Sequence, residues 1–177
     1  MDFRLLTEGD IEVRVGQANN YGVSLLLYKN ARVDMAILDE TVGAANWQRE
    51  HYECKGNLYC RVGIKCDGEW VWKSDCGTES NTEAEKGEAS DSFKRACVNW
   101  GIGRELYTSP SVFLYWSDKS GNPLVTKKEK NNRVTTSDKF IVEKIAYDDK
   151  RRIIGLAIIN ATLNKRVYVY HEGGGDS

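Results

Sequence analysis

The sequence predicts an α+β fold. Three consecutive strands and a long helix form a β-β-β-α core, with an N-terminal hairpin and a short helix before it and a C-terminal β extension behind it. Three observations carry this. "LYCRVGIKC" (58–66) alternates apolar and polar side chains throughout, the period of a strand. Asp67-Gly68 is a strong two-residue hairpin turn. Ala89, Phe93, Ala96, Cys97 and Trp100 recur at helical spacing.

The elements follow in order. Ile11, Val13 and Val15 alternate with Glu12 and Arg14, a strand, and "VSLLLYK" (23–29) reads as its hairpin partner across the turn-like "GQANNYG". "NARVDMAILDETVG" (30–43) offers Asn30 as a cap, an apolar set at Val33, Met35, Ile37, Leu38 and Val42, and Gly43 as a stop; it predicts a short helix. Strands are expected at roughly 46–54, 58–66 and 69–76. The Asp67-Gly68 turn pairs Lys65 with Trp70, Gly63 with Trp72 and Arg61 with Ser74, and cross-strand partners share a face. One sheet face therefore collects Tyr59, Arg61, Lys65, Trp70 and Trp72, and the other the cysteines and aliphatics. The long helix opens on a Thr82/Glu85 capping box, with acidic residues crowding its first turns, and stops at Gly101. Arg95 projects nearly opposite its apolar stripe and Lys94 from the flank. "SVFLYW", "KFIVEKIAY", "RRIIGLAII" and "KRVYVYH" read as strands, "TKKEKNNR" (126–133) as a basic loop, and 173–177 as a flexible tail. No internal repeat is visible. Residues 1–172 read as a single domain, with its core at about 30–107 and a β-rich extension at 110–172.

A chain of 177 residues buries a core without disulfide staples. No apolar run reaches bilayer-spanning length, and "MDFRLLTEGD" has no h-region, so neither membrane association nor a secretory signal is expected. Five cysteines without a C-x-x-C pair fit a reducing, cytoplasmic setting. The net charge is −1, which argues against a uniformly basic nucleic-acid binder. Its distribution is uneven: residues 1–91 hold 10 Lys+Arg against 17 Asp+Glu, and residues 92–177 hold 15 against 9. Such polarity builds a local basic groove or joins one subunit's acidic side to the next one's basic side.

The motifs exclude several chemistries. No Walker loop is present, which removes the common ATP-driven motor and recombinase designs. His51 and His171 lie in no triad motif, so no catalytic residues are assigned. Cys54, Cys60, Cys66 and Cys76 with His51 lack the tight knuckles of structural zinc, and Cys60 and Cys66 serve as small buried hydrophobes. No cofactor or metal is expected. "KGNLYCRV" (55–62) matches an RNA-recognition strand only at Lys55, Gly56 and Tyr59, and the element order differs. Cations interleaved with aromatics on a sheet face, plus the adjacent Lys94 and Arg95 on the following helix, suit a single-stranded nucleic acid: cations track phosphates and rings stack bases.

From Leu38 to Tyr107 the chain resembles the annealing domain of the Rad52/22 family, in particular its short bacterial and phage members. The carrying features are the Gly43…Trp47 helix-to-strand junction, the Asp-Gly hairpin, the Gly77…Ser80 loop, and Lys94-Arg95-Ala96 followed by Trp100-Gly101. The resemblance implies rings or open helical homo-oligomers, with a basic groove that holds single-stranded DNA with its bases exposed for annealing without ATP. It implies DNA contacts from Lys94 and Arg95, and from Arg32 just before the first family helix. Some relatives carry a further arginine where this chain has Val98; Arg104 is the substitute candidate. The long tail of the eukaryotic members is not in this sequence, so binding to a strand-exchange recombinase is not expected. A single-strand-binding protein or a phage exonuclease remains open as a partner. The competing reading is a non-annealing single-strand binder, or a structural oligomer of the same fold.

Overall fold

The computed structural model describes residues 1–77, 84–130 and 133–173. It divides into two compact units. One comprises Met1–Leu5 with Lys29–Arg104; the other comprises Leu6–Tyr28 with Glu105–Ser177.

The first unit holds α1 (Ala31–Val42), β3 (Trp47–Cys54), β4 (Asn57–Cys66), β5 (Glu69–Cys76) and α2 (Ala84–Trp100). The Asn30 side chain caps α1 by accepting from the backbone N–H groups of Arg32 and Val33. Gly43 closes it at φ 82°, a left-handed turn that favours glycine. The three strands form an antiparallel sheet in the order β3-β4-β5. Its register pairs Lys65 with Trp70, Gly63 with Trp72 and Arg61 with Ser74, as the two-residue turn requires. Cys60, Val62 and Ile64 are fully buried against α2, where Phe93, Ala96 and Cys97 are fully buried in turn. The end of α2 is a Schellman motif: Gly101 N–H donates to Val98 O at 2.9 Å and Ile102 N–H to Cys97 O at 3.1 Å. The Thr82/Glu85 capping box and the Gly77…Ser80 loop fall, from residue 78 through 83, outside the described residues.

The second unit is built on a six-stranded antiparallel sheet, β11-β10-β9-β1-β2-β6. Its strands are β1 (Glu12–Ala18), β2 (Gly22–Tyr28), β6 (Val112–Tyr115), β9 (Phe140–Tyr147), β10 (Ile153–Asn160) and β11 (Lys165–His171). The N-terminal hairpin thus joins the C-terminal strands through β1 and β9, a pairing of residues more than a hundred positions apart that local pattern cannot reveal. Val23, Leu25, Val112, Leu114, Phe140, Val142, Leu156 and Ile158 bury its inner face. The edge strands curl toward each other, and the Tyr168 hydroxyl donates to Ser111 O at 3.5 Å. One reading is corrected here. "TKKEKNNR" is not simply a loop: β7 (Lys128–Lys130) pairs with β8 (Arg133–Thr135). With almost no apolar side chain to alternate, the segment carries no strand signal. The tail lies outside the described residues from 174 on.

Candidate nucleic-acid interface

The candidate residues separate into two sets, because α2 covers one face of the β3-β4-β5 sheet and leaves the other open. Side chains alternate across a strand. Cys60, Val62 and Ile64 therefore point into the helix, and Tyr59, Arg61 and Lys65 point away from it. The adjacent Lys-Arg pair of α2 and the aromatics and cations of the sheet stand on opposite sides of the sheet.

On the helix side, Ser92, Phe93, Ala96 and Cys97 are buried, which leaves Arg95 exposed and Lys94 partly exposed. Arg95 Nε lies 3.5 Å from Asp75 Oδ1 at the end of β5, and Lys94 Nζ lies 4.0 Å from Asp91. These are half-exposed pairs, worth little as stabilisation; they orient the cations and are easily exchanged for a phosphate. Arg32 is exposed on the first turn of α1. Arg104 is exposed just beyond the end of α2. Its guanidinium donates to Val98 O at 2.9 Å and Asn99 O at 3.2 Å, a second donor to carbonyls that also accept from Gly101 N–H and Lys73 Nζ.

Sequence reasoning missed a buried ion pair beneath this surface. Lys29 Nζ donates to Asp34 Oδ1, with both residues buried. The second carboxylate oxygen, Oδ2, is buried without a hydrogen-bond partner. Burial pushes the Asp34 carboxyl up to about 6, against the opposing pull of Lys29 and, more weakly, Lys94. The Lys29 stem lies over Gly103, whose φ is +70°; a Cβ there would come within 2.2 Å of Lys29 Cε. The pair thus ties the start of α1, which carries Arg32, to the turn that follows α2. A signal existed: Asp34, Ile37 and Leu38 fall at i, i+3 and i+4, so Asp34 belongs to the buried stripe.

On the open side, Trp72 lies flat on Gly63, where a Cβ would meet its ring atoms at 2.8 to 2.9 Å. Arg61 Cζ stands 4.7 Å from the Trp72 ring centroid. Glu50 holds that guanidinium through Nε at 2.9 Å and Nη2 at 2.6 Å. Trp70 is tilted against Trp72 at 6.2 Å, and Tyr52 stacks on Tyr59 at 5.5 Å. Trp70 is 40% exposed and Lys65 is exposed. The cysteines do not converge: Cys60 and Cys66 face the helix side, and Cys54 and Cys76 the open side. Burial raises the Cys60 thiol to about 11 and the Cys97 thiol well above its ordinary value, so both stay protonated at neutral pH. Among the described residues no group of three His, Cys, Asp or Glu is placed to hold a metal ion, and no helix is long and apolar enough to cross a membrane.

A family model described as Rad52/22 family double-strand break repair protein matches residues 4–124. The chain belongs to the Rad52/22 family. The match contains the whole β-β-β-α core and reaches beyond the Leu38–Tyr107 stretch in both directions, taking in the N-terminal hairpin and β6. Strands β7 to β11 lie outside it. No curated protein and no solved structure matches the chain. Rad52/22 proteins act in recombination and double-strand break repair by annealing DNA; they bind single-stranded DNA and form oligomers.

Proposed function

We propose that this protein binds single-stranded DNA and anneals complementary strands without ATP, as a homo-oligomer, in recombination and double-strand break repair. The observation that carries the reading is the exposed side of α2, where Lys94 and Arg95 emerge within the family-matched residues. Annealing is downhill once strands meet, since each base-pair step gains about 1.4 kcal/mol of stacking. What opposes it is repulsion between two polyanions and the disorder of free strands. Cations on a rigid helix lower the first and, repeated through an oligomer, reduce the second. Nucleotide hydrolysis has no step to drive. The setting that fits is the cytoplasm of a bacterial or phage-infected cell, where a single-strand-binding protein or a phage exonuclease would be neighbours.

The test is annealing of complementary oligonucleotides with and without nucleotide, using the wild type and a Lys94→Ala/Arg95→Ala variant. The wild type is expected to anneal equally in both conditions. The variant should bind single strands more weakly whatever their sequence, with a log–log salt slope flatter by roughly 0.7 for each phosphate that the protein no longer neutralises. Its helix should survive, because alanine is a strong helix former and the buried stripe is untouched. Unchanged affinity and slope with an intact oligomer would remove these residues from the groove.

A further inference from the structure

We infer that the open face of the β3-β4-β5 sheet is a base-stacking platform for single-stranded DNA, separate from the cations of α2. The inference rests on the single-strand reading above and adds to it a second kind of interaction, made with bases rather than phosphates.

The face lacks aliphatic side chains. By register, no Leu, Ile, Val or Met of β3, β4 or β5 points to it, whereas Leu58, Val62, Ile64 and Val71 of the same strands point to the helix side. Its large apolar side chains are all flat rings: Tyr52, Tyr59, Trp70 and Trp72. A sheet built to pack on another sheet fills its face with interdigitating aliphatics. A surface built for unpaired bases needs planes instead, because every base offers a π-face and stacking tolerates sequence.

The planes are set in order along β4. At one end Tyr52 and Tyr59 are stacked with their rings 24° apart. In the middle the Gly63 backbone, the Trp72 ring and the Arg61 guanidinium form a layered column. Glycine at 63 is what lets the indole lie flat, and Glu50 fixes the guanidinium above it, so that column ends outward in a guanidinium plane, a surface on which bases stack. At the far end Trp70 is exposed beside Lys65. From Tyr59 to Lys65 the strand runs roughly 20 Å at about 3.4 Å per residue, room for several nucleotides. Arg61 and Lys65 outnumber the one carboxylate on the face, Glu50, a balance that favours a polyanion over an acidic partner.

The occupant is therefore single-stranded DNA, and the experiment compares oligo(dT) with an abasic oligonucleotide of equal length. The variants are Trp70→Ala, Trp70→Leu, which keeps bulk without a π-face, and Trp70→Phe. Circular dichroism checks folding and light scattering checks mass. The Ala and Leu variants should lose about 5- to 150-fold in affinity for oligo(dT). They should keep the wild-type salt slope and bind the abasic strand as the wild type does, and Phe should restore most of the affinity. Wild-type affinity of the Leu variant for oligo(dT) overturns the inference. So does a change in oligomer mass with per-site affinity unchanged, which would make the face a subunit interface. The Lys94→Ala/Arg95→Ala variant separates the two ideas. If it binds weakly while the Trp70 variants bind normally, the platform fails and the single-strand reading stands. If the wild type binds neither oligonucleotide, both fail.

Discussion

Asp34 and Lys29 form a buried ion pair at the start of α1. Both are withdrawn from water, and the second Asp34 oxygen has no partner. Burial disfavours the charged carboxylate more than Lys29 favours it, so the folded state holds the Asp34 proton more tightly than the unfolded chain does. The sign follows: this group's contribution to stability is fully present below about pH 4 and is lost as pH rises through about 6. Lys29→Met removes the counter-charge and leaves a buried carboxylate unpaired. The expected cost at pH 7.5 is about 3–5 kcal/mol. It should shrink markedly at pH 5, where Asp34 takes up a proton and needs no partner. Chemical denaturation of wild type and variant at the two pH values measures this. An equal cost at both would mean that Lys29 contributes only the packing of its stem on Gly103.

Arg104 shows how an element can claim a cation that a motif assigns elsewhere. The helix ends in a glycine at φ +103°, and the Arg104 guanidinium adds a donor to Val98 O and Asn99 O, which also accept from Gly101 N–H and Lys73 Nζ. Arg104→Ala should therefore cost about 1 kcal/mol of stability, in the range of one hydrogen-bonded cap. Its single-strand salt slope should stay at the wild-type value. A slope flattened as in the Lys94/Arg95 variant, with stability unchanged, would return Arg104 to the groove. The elements themselves were legible where local rules leave one answer. Asp67-Gly68 admits one hairpin register, and alternation from Leu58 to Cys66 fixes which side chains share a face; both appear as read. The Asn30 cap and the Gly43 and Gly101 stops are likewise local chemistry. Less legible was anything set by a distant partner. The cations of α2 and the aromatics of the sheet are separated because the helix packs on the aliphatic face. The β1–β9 pairing and the burial of Asp34 depend on packing across the chain in the same way.

At the scale of the whole molecule, the charge asymmetry along the sequence does not survive folding. The division near residue 91 falls inside α2, and the compact units cut the chain elsewhere. Unit one holds 12 Lys+Arg and 14 Asp+Glu, a net −2, and unit two 13 and 12, a net +1. Head-to-tail attraction between an acidic and a basic end thus has little to act on. Side chains suited to an apolar interface are present instead. Leu26, Phe113, Tyr115, Ile141 and Val169 are all exposed, and the register puts them on the face of the six-stranded sheet opposite its core. Exposed apolar surface of this kind marks association sites. Assembly through this face is therefore expected to resist salt. Light scattering at 0.1 M and 1 M salt should return the same mass, although the Debye length falls from about 10 to 3 Å and screens surface charge pairs. Over the same range single-strand affinity should drop steeply, because binding to phosphates releases counterions. A mass that falls with salt would restore electrostatic assembly. A monomer at both salt concentrations, with and without DNA, would leave Lys94 and Arg95 to act as isolated cations, and a continuous track for annealing could not form.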